Sequence, residues 1–249
     1  MQHPVLAANW KMNLGPTEAR EFMRTYLDRT PRRTDRTVIF FPSALAFAAV
    51  AEACRERNDV LLGVQNIHGE DKGAFTGETS ATMARDAGAR LVLVGHSERR
   101  HVFGETDAIQ AKKCAAAVRA GLTPVLCVGE LLAQREAGQA EAVVLHQLTV
   151  GLEPLEPGTV ASMLIAYEPV WAIGTGKTAT PDDASTMHRV IRAHLRGRLG
   201  ERAQAVPILY GGSVNRGNAS TLLAADQVDG LLVGGASLDP EGWSSIVSS

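Results

Sequence analysis

The sequence has few of the features that stabilise small secreted proteins or place a chain in a membrane. It contains three cysteines in 249 residues, Cys54, Cys114 and Cys127, and no Cys-x-x-Cys pair. This pattern argues against a disulfide scaffold and favours a reducing intracellular compartment. The longest weakly polar stretch, Ala44 to Ala51, is far shorter than the ~20 residues that a membrane-spanning helix needs. We therefore expect no membrane partner.

An excess of charge of either sign is also missing. Lysine and arginine number 25 and aspartate and glutamate 27, which gives a formal net charge of −2. Such a chain has no general attraction for nucleic acid. An anionic ligand would therefore have to be bound by local geometry.

Signals for export and for metal binding are equally scarce. Met1 to Pro4 contain no lysine or arginine, and Asn9 interrupts the apolar run that follows, so we expect no secretory signal and a cytoplasmic location. The seven histidines form no His-Glu-x-x-His pattern and the cysteines have no zinc spacing. We expect no metal and no cofactor.

What the sequence does have is a regular alternation of short apolar runs and helix-like segments. Most of the runs are apolar at consecutive positions, which is typical of strands buried on both faces of a parallel sheet. The predicted strands are Val5–Ala8, Thr37–Phe41, Val60–Val64, Arg90–Val94, Thr123–Val128, Ser162–Tyr167, Val206–Tyr210 and Val228–Val233. Their starts are roughly 22 to 44 residues apart, as βαβ units require, and ~250 residues is the usual length of a closed barrel. We predict an α/β fold, a single (β/α)8 barrel domain over residues 1–249, in preference to a doubly wound sheet.

The segments between the runs contain helix signals. Pro16 suits the first position of a helix over Thr17–Arg29, and Thr180 to Asp183 form a capping sequence for a helix that ends near Leu199. Further helices are predicted over 108–119, 130–138, 139–151 and 218–225. In the helix that follows Thr180, Arg189, Arg192 and Arg196 recur at helical spacing, and we expect that side to face water.

Polar residues and glycines follow the predicted strands, where a parallel barrel places its site. They are Asn9 and Lys11 after the first strand, His96 and Glu98 after the fourth, Glu168 after the sixth, Gly211-Gly212-Ser213 after the seventh and Gly234-Gly235 after the eighth. Glycine-rich turns after the last two strands of a barrel commonly bind phosphate through backbone N–H groups. The sequence therefore predicts a site for an anionic substrate at one end of the barrel.

Three of these side chains have functional and structural interpretations. Glu168 beside a glycine-containing loop suits a general base whose basicity rises when the loop expels water; a strand-end acid paired with arginine is the alternative. His96 before a short helix suits a neutral donor to a substrate oxygen, or a hydrogen-bonded core histidine. Lys11 suits an electrostatic role, or an ordinary surface lysine.

Five motifs, in order along essentially the whole chain, resemble the triosephosphate isomerase family. They are Asn9 to Asn13, Gly73 to Glu78, Gly95 to Arg100, Ala166 to Lys177 and Tyr210 to Ser213. The resemblance implies interconversion of dihydroxyacetone phosphate and D-glyceraldehyde 3-phosphate through an enediol(ate), in glycolysis and gluconeogenesis. It also implies that triose phosphates are the partners of the site.

The resemblance also implies a role for each residue. Glu168 would move the proton between carbons and His96 would polarise the carbonyl. Lys11 and Asn9 would stabilise the charge on oxygen, and Glu98 would position Lys11 or His96. The phosphate would be bound at Gly174, Ser213, Gly234 and Gly235.

The family pattern adds a lid and a second subunit. The lid would span Pro169–Lys177, with hinges that include Pro169, Trp171 and Lys177, and Tyr210 and Ser213 would latch it. A homodimer is implied, with Gln65, Phe75 and Thr76 at its interface. For Phe75, packing onto its own barrel is an equal alternative.

Two other functions stay open at this point. A Schiff-base aldolase would need a lysine at a strand end, and Lys11 is placed there. A non-catalytic phosphate-binding barrel would need the glycine turns alone. The aldolase predicts that borohydride traps substrate on Lys11, and the non-catalytic barrel predicts that Glu168→Gln leaves function unchanged.

Overall fold

Eight parallel strands close into a barrel in the computed structural model, which describes residues 1–173 and 179–249. The strands are β1 (Val5–Asn9), β2 (Thr37–Phe41), β3 (Val60–Val64), β4 (Leu91–Val94), β5 (Thr123–Val128), β6 (Leu164–Tyr167), β7 (Ile208–Tyr210) and β8 (Gly230–Val233). Each strand pairs with its neighbours in sequence, and β8 returns to β1 with Gly230 opposite Val5. The predicted (β/α)8 fold is confirmed.

Helices connect the strands and surround the barrel. They are α1 (Pro16–Arg29), α2 (Phe47–Ala53), α3 (Ala81–Asp86), α4 (Ser97–His101), α5 (Asp107–Arg119), α6 (Leu132–Glu136), α7 (Ala140–Leu152), α8 (Pro157–Val160), α9 (Pro181–Leu199), α10 (Ala219–Leu223) and α11 (Pro240–Val247). Short 3₁₀ turns cover Val170–Ala172, Gly200–Ala205 and Gly235–Ser237. Among the described residues, no helix has both the length and the apolar character needed to cross a membrane.

Alternate residues of each strand face two different cores. In β1, Val5 and Ala7 pack inside the barrel, whereas Leu6 and Ala8 pack between the barrel and the helices. Both sets are fully buried. This explains why the strands are apolar at consecutive positions and why the sequence pattern predicted a parallel sheet.

The last strands begin later than predicted. Val206 and Val228 are buried but precede β7 and β8, in turns at the amino end of the barrel. Their apolar character comes from burial in these turns and not from strand pairing. An apolar pattern reports burial, and burial extends beyond the paired residues here.

The expectation that the arginines of α9 all face water is wrong for Arg192. Its side chain is 3% exposed and its guanidinium donates to the carbonyl oxygens of Ala203 at 2.6 Å and Val206 at 2.5 Å. It also bonds the Asp229 carboxylate at 2.5 Å. Arg192 therefore joins α9 to the segments that precede β7 and β8.

A second polar side chain of α9, His188, is completely buried. Its Nδ1 donates to the Gln227 carbonyl at 2.9 Å, and burial lowers its pKa to about 4. An unfolded histidine has a pKa of ~6.5, so protons bind the unfolded chain more tightly. The contribution of the neutral histidine to the free energy of unfolding is therefore complete above pH ~6.5 and is lost as the pH falls from there through 4.

We expect the free energy of unfolding to decrease by up to ~3 kcal/mol from this group as the pH is lowered from 7.5 toward 4. Urea unfolding at fixed protein concentration across this range measures the decrease. The variant His188→Asn keeps a side-chain donor for Gln227 but cannot titrate, so its stability should change less with pH. An unchanged pH slope in this variant would contradict the prediction.

Candidate active site

A cavity of about 450 Å³ opens at the carboxyl ends of the strands. The predicted site residues that line it are Asn9, Lys11, His96, Glu168, Ser213, Gly234 and Gly235. Glu98 lies beside them and bonds Lys11. Residues that follow five different strands thus line a single cavity.

Glu168 directly follows β6 and is 2% exposed. Its Oε1 lies 3.0 Å from His96 Nε2, and its Oε2 accepts a hydrogen bond from the Ser97 backbone N–H at 2.8 Å. Two glycines make room for it. A Cβ at Gly129 would lie 1.7 Å from the Glu168 carbonyl oxygen, and a Cβ at Gly211 would lie 2.9 Å from its Cγ.

The protonation of Glu168 reflects these contacts. Burial raises the pKa of the carboxyl, but the His96 ring, the Ser97 N–H and the Lys11 ammonium together outweigh burial and lower it. The rise in basicity expected for a closed site is therefore not present in this arrangement. The contacts with His96 and Ser97 stabilise the charged carboxylate and so weaken it as a base.

His96 precedes α4 and its ring accepts a hydrogen bond at the helix N-terminus. The Glu98 N–H points at Nδ1 over 3.3 Å, which places the proton of the neutral ring on Nε2, toward Glu168. Burial lowers the pKa of His96, but the Glu168 carboxylate raises it by more. The His96 ring is thus a buried Nε2–H donor, and the Glu168 carboxylate favours the charged form of the ring.

Lys11 has a left-handed backbone, with φ of 52°. Its N–H donates to Asn9 Oδ1 at 3.0 Å and its Nζ lies 2.7 Å from Glu98 Oε1. The Gln65 side chain donates to the Lys11 carbonyl at 2.8 Å and to the Phe41 carbonyl at 2.9 Å. A non-glycine residue with positive φ is strained, and the hydrogen bonds with Asn9 and Gln65 hold the backbone in this conformation. The contact with Glu98 then places the ammonium group in the cavity.

The two glycine-rich turns also line the cavity. Gly211, Gly212 and Ser213 follow β7, and Gly234 precedes the 3₁₀ turn Gly235–Ser237. The Ser237 hydroxyl donates to the Gly234 carbonyl at 2.7 Å and fixes the second turn. Backbone N–H groups at such turns suit a phosphate group.

The residues predicted to carry the lid are only partly described. Gly174 and Lys177 lie outside the described residues. Trp171 donates its indole N–H to Glu130 Oε1 at 2.8 Å, and the Ser213 hydroxyl donates to the Ala172 carbonyl at 2.5 Å. The described flank of the predicted lid is therefore held by groups from other strand ends.

Two further predicted lid and latch residues are described. Pro169 directly precedes the 3₁₀ turn Val170–Ala172. The hydroxyl of Tyr210 is buried, and a Cβ at Gly212 would lie 2.1 Å from it. Glycine at position 212 thus makes space for the predicted latch.

The predicted interface loop lies at the surface. Phe75 is 42% exposed and its ring centroid is 4.0 Å from that of His68 in the same chain. Thr76 is exposed beside it. Met12, at 95% exposed, and Phe103, at 63%, are further large apolar side chains at the surface.

Comparison with known proteins decides the family. The family model described as triosephosphate isomerase matches residues 4–249. The chain belongs to the triosephosphate isomerase family.

Relatives named triosephosphate isomerase cover the chain along its length. That of Solibacter usitatus is 46% identical over 249 residues and all of both chains. That of Moorella thermoacetica is 48% identical over 248 residues, with 100% of this chain and 99% of that protein covered. That of Symbiobacterium thermophilum is 46% identical over 250 residues, with 100% and 97% covered. The resemblance drawn from the five motifs is confirmed.

The sequence patterns did not predict every residue of this site in the triosephosphate isomerase family member. Arg100 donates to the Gly95 carbonyl at 2.7 Å and the Cys127 carbonyl at 3.1 Å, so it joins the ends of β4 and β5. Arg100 ends the motif Gly95 to Arg100, and this position could have indicated that it belongs to the site. Ile173 and Leu232 form an apolar part of the cavity wall, and their residue types alone gave no signal. In residues 1–173 and 179–249, no group of three or more His, Cys, Asp or Glu side chains could hold a metal ion.

Proposed function

We propose that this chain interconverts dihydroxyacetone phosphate and D-glyceraldehyde 3-phosphate through an enediol(ate), a step of glycolysis and gluconeogenesis. The observation that supports this most directly is the Glu168 carboxylate 3.0 Å from the His96 ring, in one cavity that two glycine-rich turns also line. A carboxylate base and an imidazole N–H donor are the groups that a proton transfer between adjacent carbons needs.

Glu168 is the general base in this proposal. Its carboxylate leaves Ser97, takes a proton from the carbon next to the substrate carbonyl, and delivers a proton to the neighbouring carbon after the carboxyl proton has exchanged with solvent. Separation from His96 and Ser97 removes two of the contacts that lower its pKa. The apolar side chains of Ile173 and Leu232 then raise its basicity, because a poorly solvated carboxylate binds a proton more tightly.

The other side chains act on the substrate oxygens. His96 donates its Nε2–H to the carbonyl oxygen and relays protons between the two oxygens. Lys11 and Asn9 stabilise the negative charge that develops there. Glu98, 2.7 Å from Lys11 Nζ, holds the ammonium group in place.

The phosphate is bound by backbone N–H groups at Gly174, Ser213, Gly234 and Gly235. Such donors explain how a chain of net charge −2 binds a dianion. Closure of the lid by rotation at Pro169, Trp171 and Lys177, latched by Tyr210 and Ser213, would exclude water. A sealed site protects the enediolate from loss of its phosphate.

An assay with purified protein tests the activity. We expect dihydroxyacetone phosphate to be converted, and deuterium from D₂O to enter the product at the carbon that receives the proton. We expect no covalent adduct on Lys11 when borohydride is added with substrate. A borohydride-trapped adduct on Lys11 would instead favour the aldolase, and phosphate binding without turnover would favour the non-catalytic barrel.

The proposed assembly is a homodimer with Gln65, Phe75 and Thr76 at its interface. Exposed apolar side chains support it, namely Met12, Val102 and Phe103 in addition to Phe75. The three buried, free cysteines support a cytoplasmic location, since a reducing compartment keeps thiols in this state.

The variant Phe75→Asp should shift this dimer toward monomer, because a charge would be buried at the interface. Sedimentation velocity over a range of concentrations measures the shift. Ala142→Asp, at an exposed position of α7, is the control and should leave the assembly unchanged. Identical sedimentation of wild type and Phe75→Asp would exclude Phe75 from the interface.

A further inference from the structure

Arg135 of α6 contacts the first part of the predicted lid and the helix that follows the lid. Its guanidinium carbon lies 4.6 Å from the centroid of the Trp171 ring. Its Nη2 donates to Asp183 Oδ1 of α9 at 2.5 Å. One side chain thus bridges the residues that follow β6 and the first turn of α9.

The first end of this bridge is tied to the strand that positions Glu168. Glu130 is fully buried, and its Oε1 accepts hydrogen bonds from the Trp171 indole at 2.8 Å and the Tyr167 hydroxyl at 3.1 Å. Arg135 Nη1 lies 3.5 Å from the same oxygen. Tyr167 and Trp171 flank Glu168 in sequence, so the Glu130 and Arg135 contacts hold the backbone on both sides of it.

The second end of the bridge is tied to the helix cap. Asp183 Oδ2 accepts hydrogen bonds from the Thr180 N–H at 2.9 Å and the Thr180 hydroxyl at 2.8 Å. Its other oxygen is the one that Arg135 bonds. The two oxygens of Asp183 therefore have separate functions, and a substitution can remove the charge while an acceptor for Thr180 is kept.

We propose that Arg135 is a positioning residue: its bridge from Trp171 to Asp183 fixes the end of β6 from which Glu168 projects. The role of Glu168 rests on the proposed function, whereas the bridge itself does not. Arginine suits both contacts, since its planar guanidinium stacks on an indole while it donates to a carboxylate. The side chain is 33% exposed, so each contact is partly screened by water and the expected effect is moderate.

Two variants separate the contacts of the bridge. Arg135→Met removes the charge and both polar contacts but keeps an apolar stem against Trp171. Asp183→Asn keeps an oxygen for Thr180 and removes only the ion pair. Asp226→Asn is the matched control, because Asp226 pairs with Arg189 on the exposed side of the same helix, at 2.8 Å.

We expect Arg135→Met to lower kcat about five- to thirty-fold, and Asp183→Asn about two- to five-fold, with KM within about twofold of wild type. Arg135→Lys, which keeps the charge but not the planar group, should fall between wild type and Arg135→Met. Asp226→Asn should leave kcat unchanged. If the bridge variants lower only the unfolding temperature and leave kcat at the wild-type value, the proposal is overturned.

Tryptophan fluorescence provides a readout that is independent of activity. Trp10 and Trp243 are fully buried, whereas Trp171 is partly exposed, so acrylamide should quench mainly Trp171. We expect quenching to increase in Arg135→Met and Asp183→Asn and to stay at the wild-type level in Asp226→Asn. Unchanged quenching in both bridge variants would overturn the bridge. If quenching increases in these variants but the wild-type protein has no isomerase activity, only the proposed function is overturned.

Discussion

Glu168→Gln is expected to lower the kcat of isomerisation by ~10³- to 10⁴-fold and to leave KM nearly unchanged. The amide has the same size and can still accept the hydrogen bond from the Ser97 N–H, so the fold and the cavity are preserved. It cannot take a proton from carbon. Steady-state kinetics in both directions measure the effect.

A shorter base and a remote acid are the controls for this variant. Glu168→Asp keeps a carboxylate but withdraws it by one methylene, so its loss of kcat should be smaller than that of the amide. Glu70→Gln, at an exposed position of the loop after β3, should behave as wild type. If Glu168→Gln keeps kcat within tenfold of wild type, Glu168 is not the base and the proposed mechanism is wrong.

The fold could be predicted because burial on two faces leaves a direct trace in the sequence. Val5 to Ala8 are apolar without interruption because one pair fills the barrel and the other packs on helices. The same rule placed the starts of the last strands too early, at Val206 and Val228. Residues in the turns below the barrel are buried too, and hydrophobicity does not distinguish a buried turn from a buried strand.

The approximate location of the site could be predicted for a topological reason. Parallel strands of a barrel end on the same face, so Lys11, His96 and Glu168 had to lie near one another. The contacts that set their properties could not be predicted. The left-handed backbone of Lys11 is held by Gln65, and the space around Glu168 is provided by Gly129. Each contact joins residues far apart in sequence, and side-chain periodicity carries no information about it.

For Arg192 the sequence pattern gave the wrong prediction, since its helical spacing favoured an exposed position and the side chain is buried. On α9 it follows Arg189 by three residues, and both were expected to face water. Arg189 does so, with 58% of its side chain exposed, whereas the Arg192 side chain is only 3% exposed. A charged residue is buried when partners are available, and here Asp229 and two backbone carbonyls arrive from other segments.

Arg192→Met should therefore decrease the free energy of unfolding by ~3 to 5 kcal/mol, the usual cost of removing one member of a buried ion pair. The carbonyls of Ala203 and Val206 would lose the guanidinium donor, and Asp229 would lose its arginine partner while keeping the bond from the Ile208 N–H, at 2.8 Å. Urea unfolding at fixed protein concentration measures the loss. Since these groups lie at the amino end of β7, opposite the site, kcat per folded molecule should stay near the wild-type value.

Arg189→Met is the control on the same helix. Arg189 pairs with Asp226 at 2.8 Å, but both side chains are more than half exposed, and such surface pairs contribute at most ~1 kcal/mol. The two variants remove the same chemical group, so the difference between their losses isolates the effect of burial. Equal losses would show that Arg192 has no special role in joining α9 to the amino end of the barrel.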